Sequence, residues 1–105
     1  MTGIERRRSN RMVWDIGLLV RGEGFREGTF TVSISEHGAL VLMSATTIFV
    51  GQTLYLVNEK AKELECHVVR IGSPHGGLRL VGVEFIEPAK DFWPFPIPPE
   101  PASPK

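Results

Sequence analysis

The chain has 105 residues, of which 42% are hydrophobic and 23% are charged, the composition of one ordinary soluble domain. Cys66 is the only cysteine, which excludes a disulfide within the chain and a zinc site built on cysteines. No apolar segment follows the first basic residues, and no run of about 18 apolar residues occurs anywhere, so we expect no signal peptide, no membrane span and a cytoplasmic location.

The net charge of zero is unevenly distributed along the chain. Residues 1–11 contain four arginines and one glutamate, a charge of +3, while the remaining 94 residues hold 8 basic and 11 acidic residues, a charge of −3. This division predicts a local patch that attracts a small anion, and it argues against general affinity for nucleic acid.

Alternation of apolar and polar residues predicts strands from the end of this basic segment onward. In the second strand, Phe30, Val32 and Ile34 are expected to face the core, and the intervening hydroxyl residues to form a polar face. The turn Glu36-His37-Gly38 ends in a glycine that could supply a positive φ. The six predicted strands cover residues 13–21, 29–35, 39–44, 53–58, 64–71 and 78–86.

Six short strands without an amphipathic helix predict an all-β fold, a small six-stranded antiparallel barrel. We expect a basic N-terminal segment over residues 1–12, the barrel over residues 13–86, and a C-terminal segment over residues 87–105. A phase slip in the fifth strand predicts a β-bulge. Residues 89–93 are expected to form one helical turn, residues 92–95 to cap the barrel, and the proline-rich tail beyond them to be extended or disordered.

The basic segment contains Arg7 and Arg11 four residues apart, with Arg6 and Arg8 beside them. A guanidinium group can bind a phosphate through two parallel hydrogen bonds, or bind O6 and N7 of guanine in the same plane. The segment could therefore bind a phosphate group or a guanine base, but a basic terminus that only contacts solvent explains the arginines equally well.

A second motif follows in the next predicted strand and turn. Ser33-Ile34-Ser35-Glu36-His37-Gly38 has two hydroxyl groups on the polar face and a glycine where backbone can approach a ligand closely. With Arg7-Arg8-Ser9-Asn10-Arg11 it resembles the two signatures of the PilZ domain family, Arg-x-x-x-Arg and Asp/Asn-x-Ser-x-x-Gly. Residues 51–54 resemble the opening of that family's fourth strand, and residues 81–85 resemble its closing strand.

The resemblance implies a bacterial receptor module for the second messenger cyclic di-GMP, with a PilZ-type barrel and no cofactor. Arg7 and Arg11 would clamp guanine and phosphate, and Ser35 and Gly38 would be the matching barrel contacts. Arg6 would add a third guanidinium, favouring a stacked pair of nucleotides, and Arg8 lies within the same motif.

Ser33 departs from the resemblance, because the family has Asp or Asn there. A carboxylate accepts from both N–H groups of the guanine edge, whereas a hydroxyl offers one weaker partner, a loss of about 1–3 kcal/mol, or roughly tenfold to a hundredfold in affinity. His37 in the turn could compensate for this loss.

Other functions find less support in the sequence. His37, His67 and His75 are too far apart to predict a metal site, and no catalytic constellation is present, so we expect no enzyme activity. A binding module implies an effector protein in trans. A degenerate PilZ domain, which binds proteins and no nucleotide, is the alternative. A single-stranded nucleic-acid barrel would need exposed aromatic platforms, but Trp14 and Phe30 are assigned to the core.

Overall fold

The computed structural model of the chain describes residues 12–13, 15–44 and 47–95, with backbone alone at Met12 and Val13. This part of the chain contains seven strands and no helix, and therefore no helix that could span a membrane. The strands are β1 (Met12–Val13), β2 (Gly17–Gly22), β3 (Phe25–Ile34), β4 (Gly38–Met43), β5 (Thr53–Val57), β6 (Glu63–Ile71) and β7 (Arg79–Phe85).

Six of these strands close into a barrel. They pair in the order β3, β2, β5, β6, β7 and β4, and β4 pairs again with β3, every pairing being antiparallel. The two-residue strand β1 lies outside this ring and pairs with the last two residues of β3. The predicted six-stranded antiparallel barrel is therefore confirmed.

Branched and sulfur-containing side chains fill the barrel and exclude water from it. Fully buried residues come from every strand of the ring, among them Val20, Ile34, Val41, Leu54 and Cys66. After β7 the chain folds back, and Ala89, Phe92 and Trp93 join the same core. The rings of Phe92 and Trp93 meet edge to face with centroids 5.0 Å apart. The expectation that this aromatic cluster covers the barrel is thus confirmed.

The helical turn predicted over residues 89–93 is not present. The chain there is irregular, and Asp91 has a φ of 57°, a left-handed value that a right-handed turn cannot include. The N–H of Ala89 donates to the carbonyl of Glu36, in the turn between β3 and β4, at 2.9 Å. Tertiary hydrogen bonds therefore replace local ones. The proline-rich tail, from residue 96 onward, lies outside the described residues.

The first two strands differ from their predicted bounds. The run predicted over residues 13–21 is divided into β1 and β2, and next to the break the N–H of Ile16 donates to Oγ1 of Thr31 at 2.9 Å. The loop expected between Gly22 and Gly28 is a two-residue turn, Glu23 and Gly24, in which Gly24 has a φ of 83°. The second strand consequently begins at Phe25.

The faces assigned to this second strand were wrong. Thr29 and Thr31 are buried inside the barrel, whereas Phe30 is 57% exposed and Val32 is 36% exposed. The pairing of β3 with β4 shifts between Thr31 and Ser33, which makes Val32 the extra residue of a β-bulge. Inward positions are odd-numbered before the bulge and even-numbered after it, so only Ile34 of the predicted apolar face points inward.

The phase slip predicted in the fifth strand has the expected cause. The pairing of β6 with β7 shifts between Val68 and Arg70, so that the intervening Val69 is an extra residue with 47% of its surface exposed. Beyond this bulge, Arg70 lies opposite Gly82 on the outside of the barrel. The bulge therefore sets which β6 side chains face outward beside β7.

Candidate functional site

The second sequence motif forms the turn between β3 and β4, and its serine and glycine hold that turn together. The backbone N–H of Ser35 donates to the carbonyl of Gly38 at 2.9 Å. The Ser35 hydroxyl also donates to this carbonyl and accepts from the Gly38 N–H, at 3.2 Å in each case. Ser35 is 1% exposed. The motif therefore builds a rigid hairpin turn, which we call the Ser35–Gly38 turn.

Gly38 is required by a close approach between strands. It does not have the positive φ expected from the sequence, so that expectation was wrong. A Cβ at this position would lie 2.6 Å from the carbonyl oxygen of Val83, in the neighbouring strand β7. Any larger residue would therefore push β4 away from β7. The backbone that closely approaches Gly38 is that of the neighbouring strand.

Four residues lie side by side across the outside of the barrel next to this turn. Ser33 of β3 is paired with Leu40 of β4, Leu40 with Gly82 of β7, and Gly82 with Arg70 of β6. Paired residues of antiparallel strands share a face, so these four residues form one row, which we call the outer row. Ser33 is only 8% exposed although it belongs to the outside of the barrel.

Arg70 is a member of the outer row that the sequence did not reveal. A Cβ built at Gly82 would lie 3.6 Å from Cβ and 3.9 Å from Nε of Arg70, so the arginine side chain passes over the glycine. The absence of a side chain at Gly82 leaves room for it. The sequence feature closest to this arrangement was the glycine in Val81-Gly82-Val83. Its pairing with Arg70 depends on the bulge in β6, so the sequence did not reveal it.

His37 stands at the tip of the Ser35–Gly38 turn, beside Glu36. Nε2 of His37 lies 3.7 Å from Oε1 of Glu36, and the imidazole is about half exposed. The backbone of the same two residues is engaged elsewhere, because the His37 carbonyl accepts from the Phe85 N–H at 2.8 Å and the Glu36 carbonyl accepts from the Ala89 N–H at 2.9 Å. The turn is thereby bonded to the segment that carries the aromatic cluster.

The four arginines of the first motif, Arg6, Arg7, Arg8 and Arg11, lie outside the described residues. The place where their segment joins the barrel is nevertheless defined. Met12 pairs with Ile34 and Val13 pairs with Ser33. The basic segment consequently meets the barrel beside the Ser35–Gly38 turn and the Ser33 end of the outer row.

The described charges near this turn do not by themselves favour an anion. Arg70 is the cation of the outer row, while Glu36 lies in the turn and Glu84 lies opposite Gly38 on β7. Two carboxylates and one guanidinium leave this face slightly negative. An anion that bound here would require the arginines of the N-terminal segment.

Reactive chemistry has no support in the described part of the chain. Cys66 is fully buried, and its thiol donates to the carbonyl of Leu54 at 3.4 Å. Burial raises the pKa of this thiol to about 12, and the charge of Glu65 adds a smaller effect in the same direction. Such a thiol is a poor nucleophile. No group of three or more His, Cys, Asp or Glu residues in the ranges that the structure describes could hold a metal ion.

Comparison with known proteins gives one family and one related fold. The family model of the PilZ domain matches residues 5–91. Among solved structures, the Bacillus subtilis inhibitor of motility (MotI/DgrA) is similar, with a TM-score of 0.64 and 24% sequence identity. That similarity covers 82% of this chain and 45% of the other chain, and at this identity it shows the fold alone. No curated protein matches the sequence significantly.

Proposed function

The chain belongs to the PilZ domain family, and from this premise we propose that it is a non-catalytic receptor for cyclic di-GMP in bacterial second-messenger signalling. The nucleotide would bind outside the barrel, between the N-terminal arginines and the outer row. The observation that supports the proposal is the pairing of Met12 with Ile34, because Met12 directly follows the last arginine of the segment and Ile34 directly precedes the Ser35–Gly38 turn.

Charge supports a role for the arginines as the clamp. Cyclic di-GMP is a dianion, and the described groups around the turn, Glu36, Glu84 and Arg70, do not attract one. Arg7 and Arg11 would supply two guanidinium forks for phosphate and guanine. Arg8 lies between them, and Arg70 would contribute a further planar cation from the barrel side.

The turn residues divide into two roles under this proposal. Ser35 and Gly38 are buried, so they act by holding the backbone of the turn in one conformation. Ser33 lies just before this turn and His37 lies at its tip, and they would offer a hydroxyl and an imidazole to the guanine edge. A rigid turn lowers the entropic cost of binding, because these groups need not be ordered by the ligand.

The response to the nucleotide would be an ordering of the basic segment over the barrel, which changes the surface presented to an effector protein. The bonds from Glu36 and His37 to Ala89 and Phe85 support a second consequence. Through these bonds, the ligand-bound turn and the start of the C-terminal segment would form one continuous surface. The effector protein would therefore meet a different surface in the bound state.

Isothermal titration with cyclic di-GMP, with GTP as the control ligand, tests the proposal at near-physiological salt. We expect micromolar or tighter binding that is selective for the cyclic dinucleotide. Arg7→Ala and Arg11→Ala should each abolish it without changing the melting temperature, because both residues precede the barrel. Arg26→Ala removes an exposed arginine on β3, paired with Arg21 away from the turn, and should leave binding unchanged.

Stoichiometry provides a separate measurement on the same samples. Arg6 would add a third guanidinium, which would favour a stacked pair of nucleotides over a single one. We therefore expect saturation at two nucleotides per protein, and at one in Arg6→Ala. Saturation of the wild-type protein at one nucleotide would remove this role of Arg6.

A protein-binding adaptor without a nucleotide is the second candidate function. It is favoured by the structural roles of Ser35 and Gly38, since these residues stabilise the hairpin whether or not a ligand binds. Ser33 in place of an acid or amide would then mark the loss of nucleotide binding. The absence of heat at high ligand concentration, with an unchanged melting temperature, would support this function and reject the receptor.

A further inference from the structure

A cleft of about 350 Å³ lies beside the aromatic cluster that covers the barrel. Its walls come from the start of β2, the turn between β5 and β6, and the C-terminal segment. Asn58 braces two of these walls, because its side-chain amide donates to the carbonyl of Phe92 at 2.8 Å while Oδ1 accepts from the N–H groups of Lys60 and Lys62. The cleft is therefore preformed by fixed backbone.

The charge of the lining is negative. Asp15, Glu59 and Asp91 contribute three carboxylates, whereas Lys60 is the single cation among the lining residues. All three acids are exposed. The apolar part of the lining includes Ile16 and the two buried rings of Phe92 and Trp93. An acidic rim over an apolar floor matches a ligand that carries a cation next to an apolar group.

Trp93 provides an independent observation that points to a ligand. It lines the cleft and is 6% exposed, and its indole N–H has no hydrogen-bond acceptor within the described structure. A buried donor without an acceptor is costly, and a carbonyl brought by a ligand would relieve that cost. The nitrogen has almost no exposed surface, so a small rotation of the indole must accompany this bond.

We propose that this cleft is a second binding site, which takes a peptide segment of a partner protein with a lysine or arginine next to an apolar residue. The peptide carbonyl would accept from Trp93, the apolar side chain would contact the ring floor, and the cation would lie at the carboxylate rim. A volume of about 350 Å³ accommodates a few side chains. The cleft is lined by no residue of the Ser35–Gly38 turn or of the outer row, so this site is separate from the one proposed for cyclic di-GMP.

Two-dimensional NMR of the full chain, labelled with ¹⁵N, tests the site directly. The probe is the dipeptide N-acetyl-leucyl-arginine methylamide, and N-acetyl-leucyl-glutamate methylamide is its acidic control. We expect saturable shifts of the Trp93 indole N–H, identified with Trp93→Phe, and of the Asn58 side-chain amide. The affinity for the basic probe should be in the millimolar range, and the acidic probe should cause no saturable shift.

Charge neutralisation separates this site from non-specific attraction. Asp15→Asn, Glu59→Gln and Asp91→Asn together should weaken the binding of the basic probe about tenfold, as expected when its one guanidinium loses the attraction of three exposed carboxylates. Asparagine also tolerates the left-handed φ of residue 91. The matched control, Glu23→Gln with Glu65→Gln and Glu87→Gln, removes three exposed acids outside the cleft and should leave the affinity unchanged.

Three outcomes would overturn the proposal. The first is the absence of saturable shifts at the cleft with the basic probe, and the second is equal weakening by the two triple variants. The third concerns the chain's own arginines. If replacing Arg6, Arg7, Arg8 and Arg11 with alanine shifts the cleft resonances in the absence of any probe, then the occupant is the N-terminal segment, in the same chain or a second copy. None of these measurements uses cyclic di-GMP, so the proposal for the cleft and the receptor proposal can each be rejected without affecting the other.

Discussion

The hydroxyl oxygen of Ser35 makes two hydrogen bonds with one residue, donating to the carbonyl of Gly38 and accepting from its N–H, both at 3.2 Å. A third bond joins the same pair, from the Ser35 N–H to the Gly38 carbonyl. These two residues are the serine and glycine of the family's second motif. Their shared geometry indicates that they shape the turn, and the proposed function therefore assigns ligand contact to Ser33 and His37.

The first prediction concerns Ser35→Ala. This change leaves the Gly38 N–H without its buried acceptor, so we expect the free energy of unfolding to fall by about 1–3 kcal/mol. Urea denaturation followed by circular dichroism measures it. Ser73→Ala, in the exposed loop between β6 and β7, is the matched control and should be neutral. A Ser35→Ala protein as stable as the wild type would show that the hydroxyl is not needed for the turn.

The second prediction compares two strand glycines, Gly38 in a crowded position and Gly28 in an open one. Gly38→Ala should destabilise the barrel by roughly 1–3 kcal/mol, because the new Cβ would lie 2.6 Å from the Val83 carbonyl oxygen and backbone must shift. Gly28→Ala, at a position with no atom within 4 Å, should be neutral or stabilising. Thermal melts of the two variants provide the comparison, and equal melting temperatures would contradict the close approach.

The third prediction tests Ser33 as the weak position of the proposed nucleotide site. Ser33→Asn restores a residue type of the family motif and adds both a donor and an acceptor. We expect cyclic di-GMP to bind roughly tenfold to a hundredfold more tightly, which corresponds to about 1–3 kcal/mol. Ser73→Asn should leave the affinity as it is. If Ser33→Asn weakens binding while the melting temperature is unchanged, the hydroxyl is the preferred group at this position.

Periodicity predicted the strands well and the faces less well. The six-stranded barrel and the bulge in β6 follow from alternation alone. The bulge at Val32 gave no such signal, because Phe30, Val32 and Ile34 continue the alternation of two without interruption. The insertion of one residue became visible only in the pairing of β3 with β4. Since a single bulge exchanges the two faces, it placed Phe30 outside and Thr31 inside.

The candidate site was predictable where it is local in sequence. The Ser35–Gly38 turn could be recognised because four consecutive residues form it. Arg70 could not be recognised, because it reaches the outer row through the pairing of β6 with β7 and through the missing side chain of Gly82. The helical turn at residues 89–93 failed for a similar reason, since the bond from Ala89 to Glu36 joins residues far apart in the chain.

The last prediction uses the buried thiol of Cys66 as a reporter of the closed barrel. Its pKa is raised from the ordinary 9.0 to about 12, chiefly by burial and to a smaller extent by Glu65. Between pH 9 and 12 the unfolded chain therefore releases a proton that the folded chain retains. Fewer protons on the unfolded state mean that stability falls as pH rises, by roughly 1.4 kcal/mol per pH unit from this group, or about 2 kcal/mol at pH 10.5.

Urea denaturation of the wild type and of Cys66→Ala, at pH 8 and at pH 10.5 under reducing conditions, isolates this effect. All other ionisable groups are the same in the two proteins, so their contributions cancel in the difference. At pH 8 the wild type should be the more stable protein, because alanine leaves a small cavity next to Leu54, whose carbonyl accepts from the thiol. That advantage should shrink by about 2 kcal/mol at pH 10.5. A constant difference would mean that the folded thiol ionises as readily as the unfolded one, and that water reaches the barrel interior.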